Sequence, residues 1–303
     1  MLTLEGEATK VEAVAISPDG RHLVARQWAA RGSGVWLWSL ASPTAGAIEL
    51  TGGPVVGFLP DGRLVVAGDR VLVANPDAPH KGAVRFAVSE PISAVLPDGR
   101  LLSVPDATAS PATLALGTLV PGGVRVEARL TLPRAAGREP KVAVSPDGER
   151  VALGVLLPTS HGLSRSAVWL YSLASGERVG ELDALTGGLP ALAWSPDGRY
   201  VAGVLGAKLV VWSTEDGKSR GELTAGGTRL FRGPRFHPSG RFLAAGGANL
   251  DGGVYCWNVG TWEELIGYRW PVGPVTCVNF SPDGTLAATG GEKGRILVWD
   301  VDG

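Results

Sequence analysis

Residues able to do acid–base, nucleophilic or metal chemistry are few and scattered in this 303-residue chain. The four histidines stand at His22, His80, His161 and His237, and none lies within a few positions of another His, a Cys or a paired carboxylate. A zinc set or a nucleophile–base pair could still assemble in space, but nothing in the spacing asks for one. His237, at the head of a Pro-Ser-Gly run, reads as a turn residue bonding local backbone. An aspartate recurs in Pro-Asp-Gly at Asp19, Asp61, Asp98, Asp147, Asp197 and Asp283, which invites a metal or catalytic reading. Repeated turn chemistry explains every copy at once, because an Asp side chain can bond its own backbone two residues on. Gly246-Gly247 and Gly252-Gly253 form no phosphate loop, since no helix follows to offer its N-terminal amides. Cys256 and Cys277 alternate with apolar neighbours and read as buried thiols acting as small hydrophobes, not as a disulfide or redox pair. The expectation is a chain with no catalytic residue, no cofactor and no metal.

The elements that carry these residues are strands. The clearest unit runs Val275 to Val301, with an alternating run to Phe280, a break at Ser281-Pro282-Asp283-Gly284, a run from Leu286, a Gly-rich turn, and Ile296 to Trp299. Period-two apolar runs bounded by Gly, Pro and Asp are strands joined by hairpin turns. Pro pre-sets φ at the first central position and Gly accepts the positive φ that closes the loop. The turn recurs at Pro18, Pro60, Pro97, Pro146, Pro196, Pro238 and Pro282, in steps of 42, 37, 49, 50, 42 and 44 residues. Four strands per period of about 40 to 50 residues is the signature of a β-propeller blade.

The third strand of most units ends alike, at Trp38-Ser39, Tyr171-Ser172, Trp212-Ser213, Trp257-Asn258 and Trp299-Asp300. With the SPDG turn, these residues make the chain resemble the WD-repeat propeller family over essentially its whole length. That resemblance implies a buried network of a His ahead of the first strand, a Ser or Thr on the second, an Asp in the second turn and the Trp on the third. Only Thr289 and Trp299 match it in the last unit; Lys293 holds the turn position and Pro271 falls near the expected His. Blades two and three lack the aromatic marker, Ala74 standing in its place in blade two. The resemblance is therefore to a divergent member, of prokaryotic type, whose stability rests on apolar contacts between blades.

The expected fold is all-β, a seven-bladed propeller of four-stranded antiparallel blades in a single domain, 1–303. Leu2 to Leu4 form a strand with no blade before it, while the last unit has only three strands, so the N-terminal strand joins the last blade as its fourth. With 28 basic and 29 acidic residues, no global pull toward nucleic acid or an anionic membrane is expected. No apolar run approaches 18 residues and no leader is evident, which points to the cytoplasm.

What remains for function is surface. In WD-like propellers the blade-joining loops and the turns between second and third strands share one face, and the SPDG turns lie on the other. On the first face this chain places Arg31, Arg138, Arg165, Arg229 and Arg232 around the channel mouth, together with Lys208 and Lys293. Trp28 and Trp270 are the apolar anchors there, Arg and Trp being types enriched at interface hot spots. These loops vary in length, from Gly68 to Arg70 in blade two to Trp28 to Gly34 in blade one and Leu157 to Ser166 in blade four, while the SPDG loops do not, and variable loops on a rigid scaffold are where binding resides. The function expected is a non-enzymatic scaffold for a protein or peptide partner, acidic or phosphorylated, with no nucleic acid or membrane partner, as a monomeric domain or part of a larger assembly. The alternative is an enzyme or small-ligand binder using the central channel; such sites draw several His or carboxylates from successive inner strands, a series this sequence lacks.

Overall fold

The computed structural model describes all residues except 5–8, 30–31, 51–54, 68–69, 89–91, 97, 105–112, 134–140, 158–164, 189–190, 225–229, 249–251, 271 and 303. The N-terminal strand is β1 (Leu2–Leu4). Blade one is β2 (Lys10–Ile16), β3 (His22–Ala29), β4 (Gly32–Ser39) and β5 (Ile48–Leu50); blade two is β6 (Val55–Phe58), β7 (Leu64–Ala67), β8 (Arg70–Ala74) and β9 (Val84–Ala87). Blade three is β10 (Ile92–Val95), β11 (Leu101–Ser103), β12 (Thr113–Val120) and β13 (Gly123–Thr131). Blade four is β14 (Lys141–Val144), β15 (Arg150–Leu157), β16 (Arg165–Ser172) and β17 (Arg178–Thr186). Then come β18 (Leu192–Trp194), β19 (Tyr200–Leu205), β20 (Lys208–Ser213) and β21 (Ser219–Leu223) as blade five, and β22 (Phe231–Phe236), β23 (Phe242–Gly247), β24 (Gly253–Asn258) and β25 (Glu264–Tyr268) as blade six. Blade seven is β26 (Val275–Phe280), β27 (Leu286–Gly291) and β28 (Ile296–Asp300), with β1 added outside β28. Each sheet is antiparallel and four-stranded, and the fold is a seven-bladed β-propeller.

The local chemistry is uniform. All seven turn glycines, from Gly20 (φ 69°) to Gly284 (φ 78°), take the left-handed conformation that only glycine adopts without penalty. Middle strands are packed on both faces and read as unbroken apolar runs: Leu64–Ala67 in β7 is buried at every residue. Outer strands alternate, as in β17, where only Leu182 is fully covered.

By contact density the chain divides into two compact units. The first comprises Met1–Val104, Ala115–Glu127 and Trp270–Gly303. Within it β1 pairs with β28 in the register Leu2↔Val298, Thr3↔Leu297 and Leu4↔Ile296, the expected closure. Leu4, Ile296 and Val298 share a core cluster with Ile16 and Trp38 of blade one. Side chains also stitch that seam, Thr276 Oγ1 donating to the Val11 carbonyl and Asn279 Nδ2 to that of Val14 at 3.0 Å. A Cβ on Gly290 would sit 2.3 Å from Val11 Cγ1, so the two blades approach this closely only across a glycine.

The second unit comprises Pro105–Leu114 and Ala128–Arg269. Its largest core cluster runs from β18 to β24 and includes Phe231 and Trp257, whose rings meet edge to face at 5.4 Å. Indole donors lock its blades together: Trp194 Nε1 donates to the Ala143 carbonyl at 2.9 Å and Trp212 Nε1 to that of Asp183 at 3.2 Å.

Two turn lengths differ from expectation. Blade one's second turn, expected from Trp28 to Gly34, is shorter, because β3 and β4 continue pairing through Trp28↔Ser33 and Ala29↔Gly32. Similarly β15 and β16 pair through Leu156↔Ser166 and Leu157↔Arg165, so the strands reach into the turn expected over Leu157 to Ser166; residues 158–164 lie outside the described residues. Cross-strand hydrogen bonding overrides weak local turn propensity at both hairpins.

Candidate binding surface

At the SPDG ends the polar groups satisfy one another. In blade one Ser17 Oγ donates to Asp19 Oδ1 at 2.6 Å, that oxygen accepts the Arg21 amide at 3.0 Å, and Ser17 Oγ accepts the His22 amide at 2.9 Å. Ser195–Asp197 and Ser281–Asp283 repeat the pattern. The serine hydroxyl, with backbone amides, holds the Asp19 and Asp283 carboxyls below the usual carboxylate range. Blades two and three have no serine at that place, and the arginine after the glycine takes over: Arg63 Nε donates to Asp61 Oδ2 at 2.8 Å and Arg100 Nε to Asp98 Oδ2 at 2.6 Å. These carboxylates are therefore turn braces. His237 stays local as expected, Nδ1 lying 2.7 Å from Ser239 Oγ and 3.2 Å from the Ser239 amide that donates to it.

His22 is not isolated, however. It is 4% exposed, and its Nε2 lies 3.3 Å from Asp77 Oδ1, in the loop after β8 of the next blade. Asp77 is far away along the chain, so no local spacing announces the pair. Among the described residues no group of three or more His, Cys, Asp or Glu gathers where a metal could be held. Burial pushes the Cys256 thiol up to about 12, which leaves it protonated and unreactive.

The opposite, loop-bearing ends present the residues singled out for binding. In the first unit Trp28 is 50% exposed at the end of β3, across from Lys10 on β2 and Ser33 on β4. Its carbonyl is fixed by the Thr9 amide at 2.8 Å and by Thr9 Oγ1 at 3.1 Å. Beside it, Glu12 accepts Arg26 Nε at 3.0 Å and faces Lys10 Nζ at 3.8 Å. This supporting set of Glu12, Arg26 and Ser33 escaped the sequence reading; the alternation of strand residues is the signal that could have found it. Lys293 is exposed on the turn between β27 and β28. Gln27 Nε2 donates to Gly294 O at 3.3 Å, which sets that turn beside the end of β3. Trp270 is half-buried instead of standing free, its ring centroid 4.6 Å from that of Trp299. Thr289, which the family resemblance places in a buried network with Trp299, donates instead from Oγ1 to the Cys277 carbonyl at 2.9 Å.

In the second unit Arg165 is exposed at the head of β16, in register with Leu157 and Thr186. Lys208, at the head of β20, pairs with Glu222 on β21. Arg232 is half-buried on β22 opposite Gly246. Phe231 N donates to Gly206 O at 2.9 Å, tying β22 to the turn before Lys208, and neighbouring Leu230 is 37% exposed. Arg31, Arg138 and Arg229 lie outside the described residues.

Comparison with known proteins agrees with this geometry. The family described as WD domain, G-beta repeat matches residues 232–258 and 266–300, in blades six and seven. Human serine-threonine kinase receptor-associated protein is 46% identical over 65 residues, 22% of this chain and 18% of that protein. Its chicken counterpart is 32% identical over 111 residues, 37% of this chain and 31% of that protein. The Caenorhabditis elegans small ribosomal subunit protein RACK1 is 37% identical over 68 residues, 22% of this chain and 21% of that protein. The chain thus spans less than a third of the length of these relatives. They are animal proteins, and the expected prokaryotic type finds no support among them. Seven four-stranded blades, SPDG turns braced from within and two repeats that match the family together identify the chain as a WD-repeat β-propeller.

Proposed function

We propose that this chain is a non-enzymatic scaffold that binds a protein or peptide through the loop-bearing ends of its blades. The observation carrying this reading is Trp28, a large apolar side chain half open to solvent on a backbone fixed by Thr9, with Lys10, Arg26 and Glu12 around it. Aromatic side chains held on rigid strands lose little entropy on docking and are typical anchors. The names of the matched relatives, one associated with a kinase receptor and another a component of a ribosomal subunit, support a protein partner. Exposed Arg165 and Lys293, with Arg31, Arg138, Arg229, Arg232, Lys208 and Trp270 nearby in sequence reading, favour an acidic or phosphorylated segment over nucleic acid or membrane. Among the described residues no helix is long and apolar enough to cross a membrane; the cytoplasm, expected from the sequence, is the compartment we assign in this reading.

The test is to capture partners from the native source, then measure binding of the captured protein to Trp28→Ala and Arg165→Glu and, separately, to Arg63→Glu and Arg199→Glu beside the SPDG turns. The first two variants should weaken binding, the arginine reversal more at low salt than at high. Equal loss from both sets, or loss only from the second, places the site at the opposite ends of the blades.

A further inference from the structure

The outermost strand of each blade has a sheet neighbour on one side only. Such an edge is a template for another strand unless something blunts it. One edge stands apart. β13 is nine residues long and exposes Arg125, Val126 and Glu127 in succession. Val124, on one side of the strand, packs against a buried cluster that includes Ile92 and Leu101. Val126 continues that apolar row yet remains 37% exposed. On the other side Arg125, with a 69% exposed side chain, reaches to 3.8 Å from Glu127 Oε1, which also accepts Thr118 Oγ1 at 2.6 Å.

We propose that β13 is a homodimer interface, in which two copies of this chain pair edge to edge, antiparallel, about a two-fold axis at Val126. Directly opposite residues on antiparallel strands point to the same side of the sheet, so this register sets Arg125 against the partner's Glu127 and Glu127 against the partner's Arg125. Val126 then meets its own symmetry mate and Val124 meets the partner's Ala128. The outcome is two opposite-charge pairs, an apolar contact on the axis and one continuous eight-stranded sheet. A symmetric contact of this kind must be self-complementary, and β13 satisfies that condition in its sequence.

No other outer strand does. β17 is as long, but every two-fold register that keeps side chains on matching sides puts Arg178 opposite Gly180, Leu182, Ala184 or Thr186, never a carboxylate. In addition Asp183 N already donates to Gly217 O at 3.0 Å, and the β16–β17 ladder shifts register twice. In β21 the complementary pair exists, but Arg220 is held by Asp216 and Glu222 by Lys208. β5, β9 and β25 carry charge of one sign only, and β1 carries none.

Sedimentation equilibrium of the full chain tests this. The parent should show a concentration-dependent monomer–dimer equilibrium. Arg125→Glu and Glu127→Arg should each weaken it roughly tenfold, since each turns two attractive cross-strand pairs into two repulsive ones. The double variant Arg125→Glu/Glu127→Arg should restore it, because the pairing is then merely inverted. Val126→Lys, which opposes two ammonium groups on the axis, should abolish it, with circular dichroism confirming that the fold is kept. A parent that stays monomeric at every concentration, or a dimer indifferent to the single reversals, or a double variant no better than the singles, overturns the proposal.

Discussion

Blade seven and blade two reach the same architecture with different residues. Blade seven has its turn serine, Thr289 and the buried Trp299. Blade two has Leu59 where the serine would be and Ala74 where the tryptophan would be, yet both are as covered as their counterparts, at 5% and 3% exposure. The turn glycines agree closely, φ 78° at Gly284 and 87° at Gly62. Ser281 Oγ accepts the Leu286 amide at 2.9 Å and donates to Asp283; in blade two the Asp61 carboxylate is braced from outside by Arg63. The repeat's motif residues are thus one solution to a backbone requirement, and apolar packing against the neighbouring blades is the part both share. Blade two joins Val24, Leu37 and Leu50 of blade one in a single cluster with Phe58, Leu64 and Leu72.

The sharpest way to break the comparison is to remove β1, which blade seven needs and blade two does not. Deleting Met1 to Leu4 strips the ladder partner from β28 and uncovers Ile296 and Val298. Burial of Leu4 alone is worth about 2 kcal/mol. The expected loss is at least ~3 kcal/mol, measured by urea unfolding, with the truncated chain prone to self-association through the bared edge. A melting temperature equal to that of the full chain would mean that the β1–β28 pairing contributes nothing.

Next in size is Ser281→Ala. Ser281 is fully buried, and its hydroxyl serves both the Leu286 amide and Asp283, so the cost should be about 1 to 2 kcal/mol. If blade two's arrangement is equivalent, Ser281→Leu combined with Thr285→Arg, which copies it, should recover part of that loss.

The smallest effect belongs to Arg63→Ala. Its side chain is 55% exposed, so the expected cost is within about 0.5 kcal/mol at low salt and less at high salt. The Arg63 guanidinium lowers the folded-state pKa of Asp61, so the contribution is present above the unfolded value of about 4 and is lost as pH falls through the lowered one. Stability curves of parent and variant should converge on acidification, and a gap that persists at acid pH would assign Arg63 a role other than bracing Asp61.

Much of this was legible in the sequence because it is local. A Pro-Asp-Gly or Pro-Ser-Gly turn carries its own hydrogen-bond partners, so all seven turns and the strands they join could be placed from residue types alone. Contacts between distant positions could not. The pairing of His22 with Asp77 joins consecutive blades, and the packing of Trp270 on Trp299 joins the segment ahead of β26 to β28; residue spacing reveals neither. Trp262 shows the same limit within a turn: it takes φ 60° where Gly176 and Gly217 take 71° in blades four and five. Its ring meets Tyr200 of the preceding blade edge to face at 5.0 Å, a tertiary contact that opposes the strain of that conformation. Of the proposed binding residues, exposure at Trp28 and Arg165 follows from their places at strand ends and at Lys293 from its turn, whereas the burial of Trp270 depends on a neighbour no spacing reveals.

The pairing of β1 with β28 also bears on how the chain comes to fold. Leu2 must wait, unpaired, while every intervening strand is synthesised, because its partner Val298 lies on the far side of all of them in the chain. Hairpins inside a blade can zip as they appear, but blade seven is completed only by the β1–β28 pairing, the longest-range strand pairing among the described residues. Such contacts carry the largest loop-closure entropy and form late. Closure of blade seven should therefore be slow, and until it occurs the chain carries the open edge of β28 as an exposed liability.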